Sequence, residues 1–456
     1  MYKFIARHML APLLDVFRGT KTMKRLEQLE RSQWWPRHKI LALQDEELRK
    51  LLKYAYDNVP YYHRIFEERE LKPEDIQTSE DLVKLPILTK QLIRANFDDL
   101  IARDFSTKEI IPYSTAGSTG EPLRFYRTKD DFYNWGPAAQ LRAYGWAGYE
   151  IADRCALLWK EDIYESTTER FNRIYRQFLQ RIRFFDAEDM SADKSRLYCK
   201  RLGNLQPKFI RGFPTAIHLL AQFAEREGKP NIRPKAIITG GEPVYDYQRE
   251  LFLKVFECEV YSHYGSREMH AIASECPEHS GYHISAENVI VEIVNDQGEP
   301  APVGEEGRVL VTNLRNYAMP FIRYENGDLG VSSDEACPCG RGLPLLATIS
   351  GRTTDVIFTK SGKCIPGISL PLRIFASPGI EQFQIVQETY EKVIIRLVLD
   401  REYAEDRINE VVKEVLYQYR SMLGEEMDIN IEFVDQMPPT RSGKRRIVVS
   451  NVQAGL

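Results

Sequence analysis

Nine consecutive residues, Ser114-Thr115-Ala116-Gly117-Ser118-Thr119-Gly120-Glu121-Pro122, combine hydroxyls and glycines in a pattern that suits a polyphosphate. Glycine lets backbone N–H groups approach an anion closely, and Ser and Thr add donors with little bulk. Taken alone, the segment reads equally well as a phosphate loop or as a Ser/Gly surface loop. It is not the common P-loop: the string G-x-x-x-x-G-K-[S/T] does not occur, and Leu123 and Arg124 follow Glu121-Pro122 with no lysine in place. A second group is metal-like. Cys276 and His279 form C-x2-H, and Cys337 and Cys339 form C-x-C, with Gly340 and Gly342 behind them. Three thiolates and one imidazole suit a closed tetrahedral Zn²⁺ site, which would be structural because no coordination position is left open. His283 is an alternative fourth ligand, and the competing reading is two unrelated reduced cysteine clusters. Cys155, Cys199, Cys258 and Cys364 lie in mixed or apolar surroundings and read as buried thiols.

Further Gly-plus-charge strings follow in order: Gly240-Gly241-Glu242-Pro243, Tyr264-Gly265-Ser266-Arg267-Glu268, Arg323-Tyr324-Glu325-Asn326-Gly327-Asp328, Gly351-Arg352-Thr353-Thr354-Asp355 and Pro439-Thr440-Arg441-Ser442-Gly443-Lys444. Each alone is an ordinary turn. Their joint order carries the information.

The elements that must position these residues are legible from periodicity. Residues 1–75 read as helical, with Leu48, Leu51, Leu52 and Ala55 on one face and a stop at Pro60. From about 110 to 270 strand-like and helix-like stretches alternate. Apolar Ile110, Ile111 and Pro112 before the hydroxyl-rich loop, and Leu123-Arg124-Phe125 after it, read as two strands. Cys155–Trp159, Phe209–Gly212 and Ala236–Thr239 read as further strands, and Tyr133–Ala147 and Pro214–Glu227 as helices. The segment 284–350 is strand-rich. The last hundred or so residues carry strands near Phe383–Val386, Val393–Leu399 and Ile429–Val434 and a helix near Asp406–Tyr419. The expected fold is α/β. A large multi-layer domain of mixed sheets and helices covers 1–350, with 1–75 as a helical lead-in, and a small mobile α+β domain covers 351–456.

A chain of 456 residues with 43% apolar and 28% charged residues is ordinary for a globular protein of two or three domains. Its formal charge of −4 offers no general attraction to nucleic acid. No apolar run approaches the roughly 20 residues of a membrane span. Met1–Phe17 has scattered basic residues and a short apolar run, Met9–Phe17, without the features of a signal peptide. It is expected to be an amphipathic helix docked on the protein rather than a membrane anchor. A cytoplasmic location is the simplest expectation.

The ordered set of strings resembles the adenylate-forming superfamily: acyl-CoA ligases, peptide-synthetase adenylation domains and luciferases. Within it the chain resembles the phenylacetate–CoA ligase branch and its CapK-like, coenzyme F390 synthetase-like group. Ser32-Gln33-Trp34, Val59-Pro60-Tyr61-Tyr62 and Leu85-Pro86-Ile87-Leu88-Thr89-Lys90 carry the same likeness, which spans essentially the whole chain. The resemblance implies roles. Ser114, Thr115, Gly117, Ser118, Thr119 and Gly120 would cradle ATP phosphates. Gly241, Glu242 and Pro243 would border the adenine, with Tyr264 stacked on it and Gly265 and Ser266 beside it. Glu268 would hold Mg²⁺. Asp328 would take the ribose hydroxyls, Arg352 the ribose or α-phosphate, and Lys444 the charge that builds between substrate carboxylate and α-phosphate. Trp135, Phe213, Tyr261 and His263, with Ala138, would line the acyl pocket. The implied chemistry is formation of an acyl-adenylate from a carboxylic acid and ATP, then transfer to a thiol, most simply coenzyme A. Domain rotation would bring Lys444 and then the loop Lys360–Lys363 to the site.

The chain also departs from the pattern. Thr354 stands at the hinge position, with Asp355 beside it. The Gly-rich substrate segment of phenylacetate ligases is replaced by Arg154–Tyr164, RCALLWKEDIY, which leaves the acid unnamed. A carrier protein or an amine or hydroxyl acceptor in place of coenzyme A is an alternative. So is a non-catalytic component of a polysaccharide pathway. The resemblance also admits a homodimer.

Overall fold

A computed structural model describes residues 2–106, 108–115, 123–159, 180–187, 190, 192–227, 232–352, 356–359, 364–366, 370, 380–399, 405–424, 426–437 and 446–452. The chain divides into two compact units. One comprises Met1–Asp153, Ile174–Arg181 and Tyr261–Ile349; the other comprises Arg154–Arg173, Ile182–Val260 and Ser350–Leu456. Residues 182–260 fall in the same unit as the C-terminal segment.

The first unit begins with helices. Arg37–Asn58 buries Ile40, Leu48, Leu51, Leu52 and Ala55 at helical spacing. It ends because Val59 precedes a proline: Pro60 disfavours helical backbone at Val59, which is extended at φ −112, ψ 109. Pro60 then opens the helix Pro60–Glu68, where its missing N–H costs nothing. The strands Ile110–Ser114 and Arg124–Thr128 form an antiparallel pair, with Ser114 opposite Arg124, so the hydroxyl-rich loop joins a hairpin. Val289–Val294 pairs antiparallel with Glu306–Asn313, which pairs antiparallel with Tyr324–Ser333. Tyr282–Ile284 lies between Leu345–Arg352 and His270–Glu275, and the latter pairs antiparallel with the end of Glu259–Ser266. The string from Tyr324 to Asp328 therefore opens a strand.

In the second unit, Cys155–Trp159 is flanked by Ile182–Asp186 and Phe209–Gly212, and the latter pairs with Ala236–Gly240; all these pairs are parallel. Ala236–Gly240 is buried throughout, as expected of a strand covered on both faces. Ala192–Leu205 and Pro214–Arg226 supply the helical connections. The C-terminal part has the sheet order Asp428–Phe433, Lys392–Leu399, Ile380–Thr389, Val448–Ser450, with the helix Glu405–Leu423. Ile385, Val393, Ile395, Val415, Tyr419 and Val448 fill its core together with Tyr245 and Tyr247. Buried Gln387, in register with Val393 on one side and Ser450 on the other, also grips a third strand: its side chain accepts from Phe358 N at 2.9 Å and donates to Phe358 O at 2.5 Å. The alternation of strands and helices and the small α+β tail match the expected fold class.

Among the described residues no helix is long and apolar enough to cross a membrane.

Candidate active site and metal centre

In the first unit, two carboxylates singled out by sequence are each held by a tyrosine. Tyr324 Oη donates to Glu268 Oε1 at 2.9 Å, and both side chains are buried. Tyr264 Oη donates to Asp328 Oδ2 at 2.7 Å. Asn326 Nδ2 donates to Tyr264 Oη at 2.6 Å and to Asp328 Oδ2 at 2.9 Å, and Asn326 Oδ1 accepts from Asp328 N at 3.1 Å. Such a closed set fixes one carboxylate oxygen and one ring orientation together. The strand carrying Asp328 is pinned at its start by Arg323. That buried guanidinium pairs with Glu292 at 3.0 Å and donates to Leu85 O at 2.7 Å and Gly298 O at 2.9 Å. The base of the hydroxyl-rich hairpin joins this region through Arg267, whose Nη1 donates to Ser114 O at 3.1 Å. Arg127 in turn donates to Arg267 O at 3.2 Å and pairs with buried Asp131. Thr115 Oγ1 accepts from Leu123 N at 2.9 Å, closing the neck of the loop. Gly117, Ser118, Thr119 and Gly120 lie outside the described residues, as do Lys444, Thr354, Asp355 and Lys360–Lys363; of Arg352 only the backbone is described.

Gly265 sits where strands approach so closely that a Cβ would run into His270 O. Ser266 Oγ accepts from Met269 N at 3.2 Å. His263 contacts Ser274 Oγ at 2.7 Å and packs edge-on to Tyr144. Tyr261 lies against the His279 ring, 5.0 Å between centroids. Two guanidinium groups lie over the Trp135 ring, Arg25 at 4.2 Å and Arg315 at 4.0 Å from its centroid. It lines a cavity of about 1020 Å³ with Glu47, Tyr317 and Phe105. Ala138 is fully buried in the cluster that includes Trp135 and Ala271.

In the second unit, Glu242 accepts from Thr215 Oγ1 at 2.7 Å and Thr215 N at 3.2 Å. A carboxylate at the start of the helix Pro214–Arg226 is favoured by the unpaired N–H groups there. Phe213 is fully buried and stacks on Trp159 at 3.9 Å. Gly241 has φ +81, and a Cβ there would lie 3.0 Å from the Phe213 ring. Gly241→Ala is therefore expected to destabilise the protein by about 2 kcal/mol, read by thermal or denaturant unfolding. An unchanged midpoint would contradict the packing described. Pro243 follows in the turn before the helix Asp246–Phe256. Tyr324, Asn326, Arg127 and Trp159 went unassigned by sequence reasoning. Tyr324 and Asn326 stand inside the Arg323–Asp328 string, so adjacency was an available signal; Trp159 stands in the segment that departs from the family pattern.

The metal-like residues converge in the first unit with one correction. Cys276, Cys337, Cys339 and His283 place their ligand atoms within 4.8 Å of one another. The Cys276 and Cys337 sulfurs are 3.5 Å apart, and Cys339 Sγ is 3.3 Å from His283 Nε2. Zinc bonds of about 2.0–2.3 Å in a tetrahedron set neighbouring donors roughly 3.3–3.8 Å apart, so the set fits. His279 is not the fourth member. Its backbone N–H closes a turn onto Cys276 O at 3.0 Å, and its ring lies 3.6 Å from the Glu275 carboxylate. His283 instead pairs in register with Leu345, a few residues from Cys339 along the chain. Short spacing favoured His279; strand register decides for His283. Burial pushes the His283 imidazole down to about 4, so the histidine is neutral, as a metal ligand must be; the same burial pushes the Cys276 thiol up to about 12, so it would take a bound cation to draw off its proton. The loop beyond is tied to the N-terminal helices: Gly342 N donates to Gln33 O at 3.0 Å, and Arg341 Nε donates to Gln33 Oε1 at 3.1 Å.

Residues 357–451 match the family described as the CapK C-terminal domain. Protein CapK of Staphylococcus aureus is 24% identical over 426 residues, covering 91% of this chain and 90% of that one. A phenylacetate-coenzyme A ligase of Thermus thermophilus is 25% identical over 387 residues, covering 84% and 85%. The crystal structure of 2-hydroxyisobutyryl-CoA ligase in its postadenylation state superposes with a TM-score of 0.75 at 20% identity, over 92% of each chain. The fold is therefore that of the acid–CoA ligases, and the resemblance to the CapK and phenylacetate–CoA ligase group holds along most of the chain.

Proposed function

We propose that this chain, a relative of CapK and the phenylacetate–CoA ligases with the fold of an adenylate-forming ligase, activates a carboxylic acid with ATP and passes the acyl group to coenzyme A. The substrate carboxylate attacks the α-phosphorus, giving acyl-adenylate and pyrophosphate. The thiol then attacks the acyl carbon, a thioester bond forms, and AMP leaves with the electron pair of the broken C–O bond. The observation that carries this reading is the pair of held carboxylates: Glu268 on Tyr324, and Asp328 on Tyr264 and Asn326.

Each carboxylate has a separate task. Glu268 offers a hard anionic oxygen to Mg²⁺, which would neutralise charge on the triphosphate. Asp328 accepts from the ribose hydroxyls, and the Tyr264 hydroxyl keeps its oxygen and the tyrosine ring in one arrangement. Lys444 supplies positive charge as the pentacovalent transition state forms. Cys276, Cys337, Cys339 and His283 would hold a structural zinc, which would tie the 337–343 loop to the segment 276–283 within the first unit. A role in polysaccharide biosynthesis rests on the likeness to CapK.

The test is acid-dependent exchange of labelled pyrophosphate into ATP over a panel of carboxylic acids, followed by coenzyme A-dependent release of AMP. Exchange with at least one acid, loss of exchange in Lys444→Ala with ATP binding retained, and thioester formation are the expected results. No exchange with any acid would remove the adenylation reading. Exchange without coenzyme A-dependent release would redirect the acyl group to another acceptor.

A further inference from the structure

The N-terminal helix is packed the wrong way round for a helix that only covers its own protein. Tyr2–Ile5, Ala6–Leu10 and Ala11–Arg18 follow one another as helix, with a π-helical middle section, and end at Gly19 with φ +66. The small residues Ala6 and Ala11 are buried against Leu26, Leu29 and Trp135. The large ones face solvent: Phe4 is 67% exposed, Met9 62%, Leu13 64%, Val16 79% and Phe17 81%. Met9, Leu13, Val16 and Phe17 recur at i, i+4, i+7 and i+8, which puts them on one face. The docked helix expected from sequence is thus present, but its apolar stripe points away from the protein.

The charge around this stripe selects the occupant. Residues 1–26 hold six basic residues and one acid, within a chain of formal net charge −4; of the six, Lys3 pairs with Glu150 and Asp153, Arg7 with Glu30 and Arg25 with Asp130. The one acid, Asp15, is turned inward, accepting from Thr20 Oγ1 at 2.6 Å and Met23 N at 2.7 Å. Arg18, Lys21 and Lys24 are exposed just beyond the stripe. An apolar stripe bordered by cations is the pattern of a helix lying in the plane of an anionic bilayer surface, its apolar side chains among the acyl chains and its cations at the headgroups. A second copy of the chain is the weaker occupant, because one short helix face falls short of the ~800 Å² that each partner of a stable dimer buries.

We infer that the helix 2–18, with Arg18, Lys21 and Lys24, is an in-plane docking surface for anionic lipid membrane. The full-length protein should float with vesicles of phosphatidylglycerol mixed into phosphatidylcholine at least about ten-fold more than with phosphatidylcholine alone, and high salt should reduce the difference. The double substitutions Val16→Ser with Phe17→Ser, and Lys21→Glu with Lys24→Glu, should each lower flotation about ten-fold without moving the unfolding temperature, because the side chains removed are exposed. Wild-type protein that stays unbound on anionic vesicles overturns the inference. So does flotation that survives the Val16/Phe17 change, or a Val16/Phe17 variant that shifts a dimer to monomer while lipid binding is nil.

Discussion

Glu268→Gln should lower acid-dependent pyrophosphate exchange by at least about 100-fold while leaving the fold intact. The substitution keeps shape and keeps an oxygen to accept from Tyr324 Oη, which now sits 2.9 Å from Glu268 Oε1. Only the negative charge is lost, and that charge is what a hard dication beside a triphosphate requires. Raised magnesium should restore part of the rate. Tyr324→Phe separates holding from ligation. It leaves a buried carboxylate oxygen short of a donor, at a cost of about 1–3 kcal/mol in stability. Its exchange rate should fall less than that of Glu268→Gln, and its magnesium requirement should rise. A Glu268→Gln enzyme with wild-type exchange and an unchanged magnesium dependence would show that this carboxylate is an ordinary buried acid.

The second large effect concerns the metal centre. Cys276→Ser should abolish zinc retention, measured by elemental analysis of purified protein, and destabilise the protein by about 4 kcal/mol. Cys276 is fully buried, as is His283, and lies 3.5 Å from Cys337, so removing its thiolate breaks the set at one of its two most enclosed members. The consequence should spread to the loop that Gln33 holds through Gly342 and Arg341, and hydrogen exchange there should rise. His283→Ala should behave like Cys276→Ser, whereas His279→Ala should leave zinc bound, since His279 pairs with Glu275. This contrast tests the ligand assignment itself. Stoichiometric zinc lost in His279→Ala and kept in His283→Ala would reverse it. Protein free of zinc in every preparation, with full stability, would dismiss the site.

Much of the architecture was readable because its signals are local. The helix Arg37–Asn58 announces itself by apolar spacing and ends at a Val-Pro step. The hairpin around the hydroxyl-rich loop follows from apolar runs on either side of glycines. Cys155–Trp159, Phe209–Gly212 and Ala236–Gly240 are short and largely apolar, so their strand character needs no partner to be inferred. The chemistry-bearing strings were legible too, since glycine and charge at fixed spacing mark places where backbone must approach closely or an ion must be met.

What the chain could not disclose by itself was every choice settled by a partner distant in sequence. The linear string offered two histidines near Cys276, and the shorter spacing pointed to His279; antiparallel register with Leu345 brings His283 to Cys339 instead. Phe213 reads as an apolar side chain before a helix, but only packing shows it stacked on Trp159 and limiting Gly241 to glycine. The N-terminal helix is visible in sequence as amphipathic, yet only the packing shows Ala6 and Ala11 meeting the protein and the large apolar side chains facing out. Periodicity and turn chemistry are properties of neighbouring residues, so the sequence states them outright. Ligand choice, side-chain clamps and the direction a helix faces are set by contacts between residues tens to hundreds of positions apart, and only the closed fold selects among them.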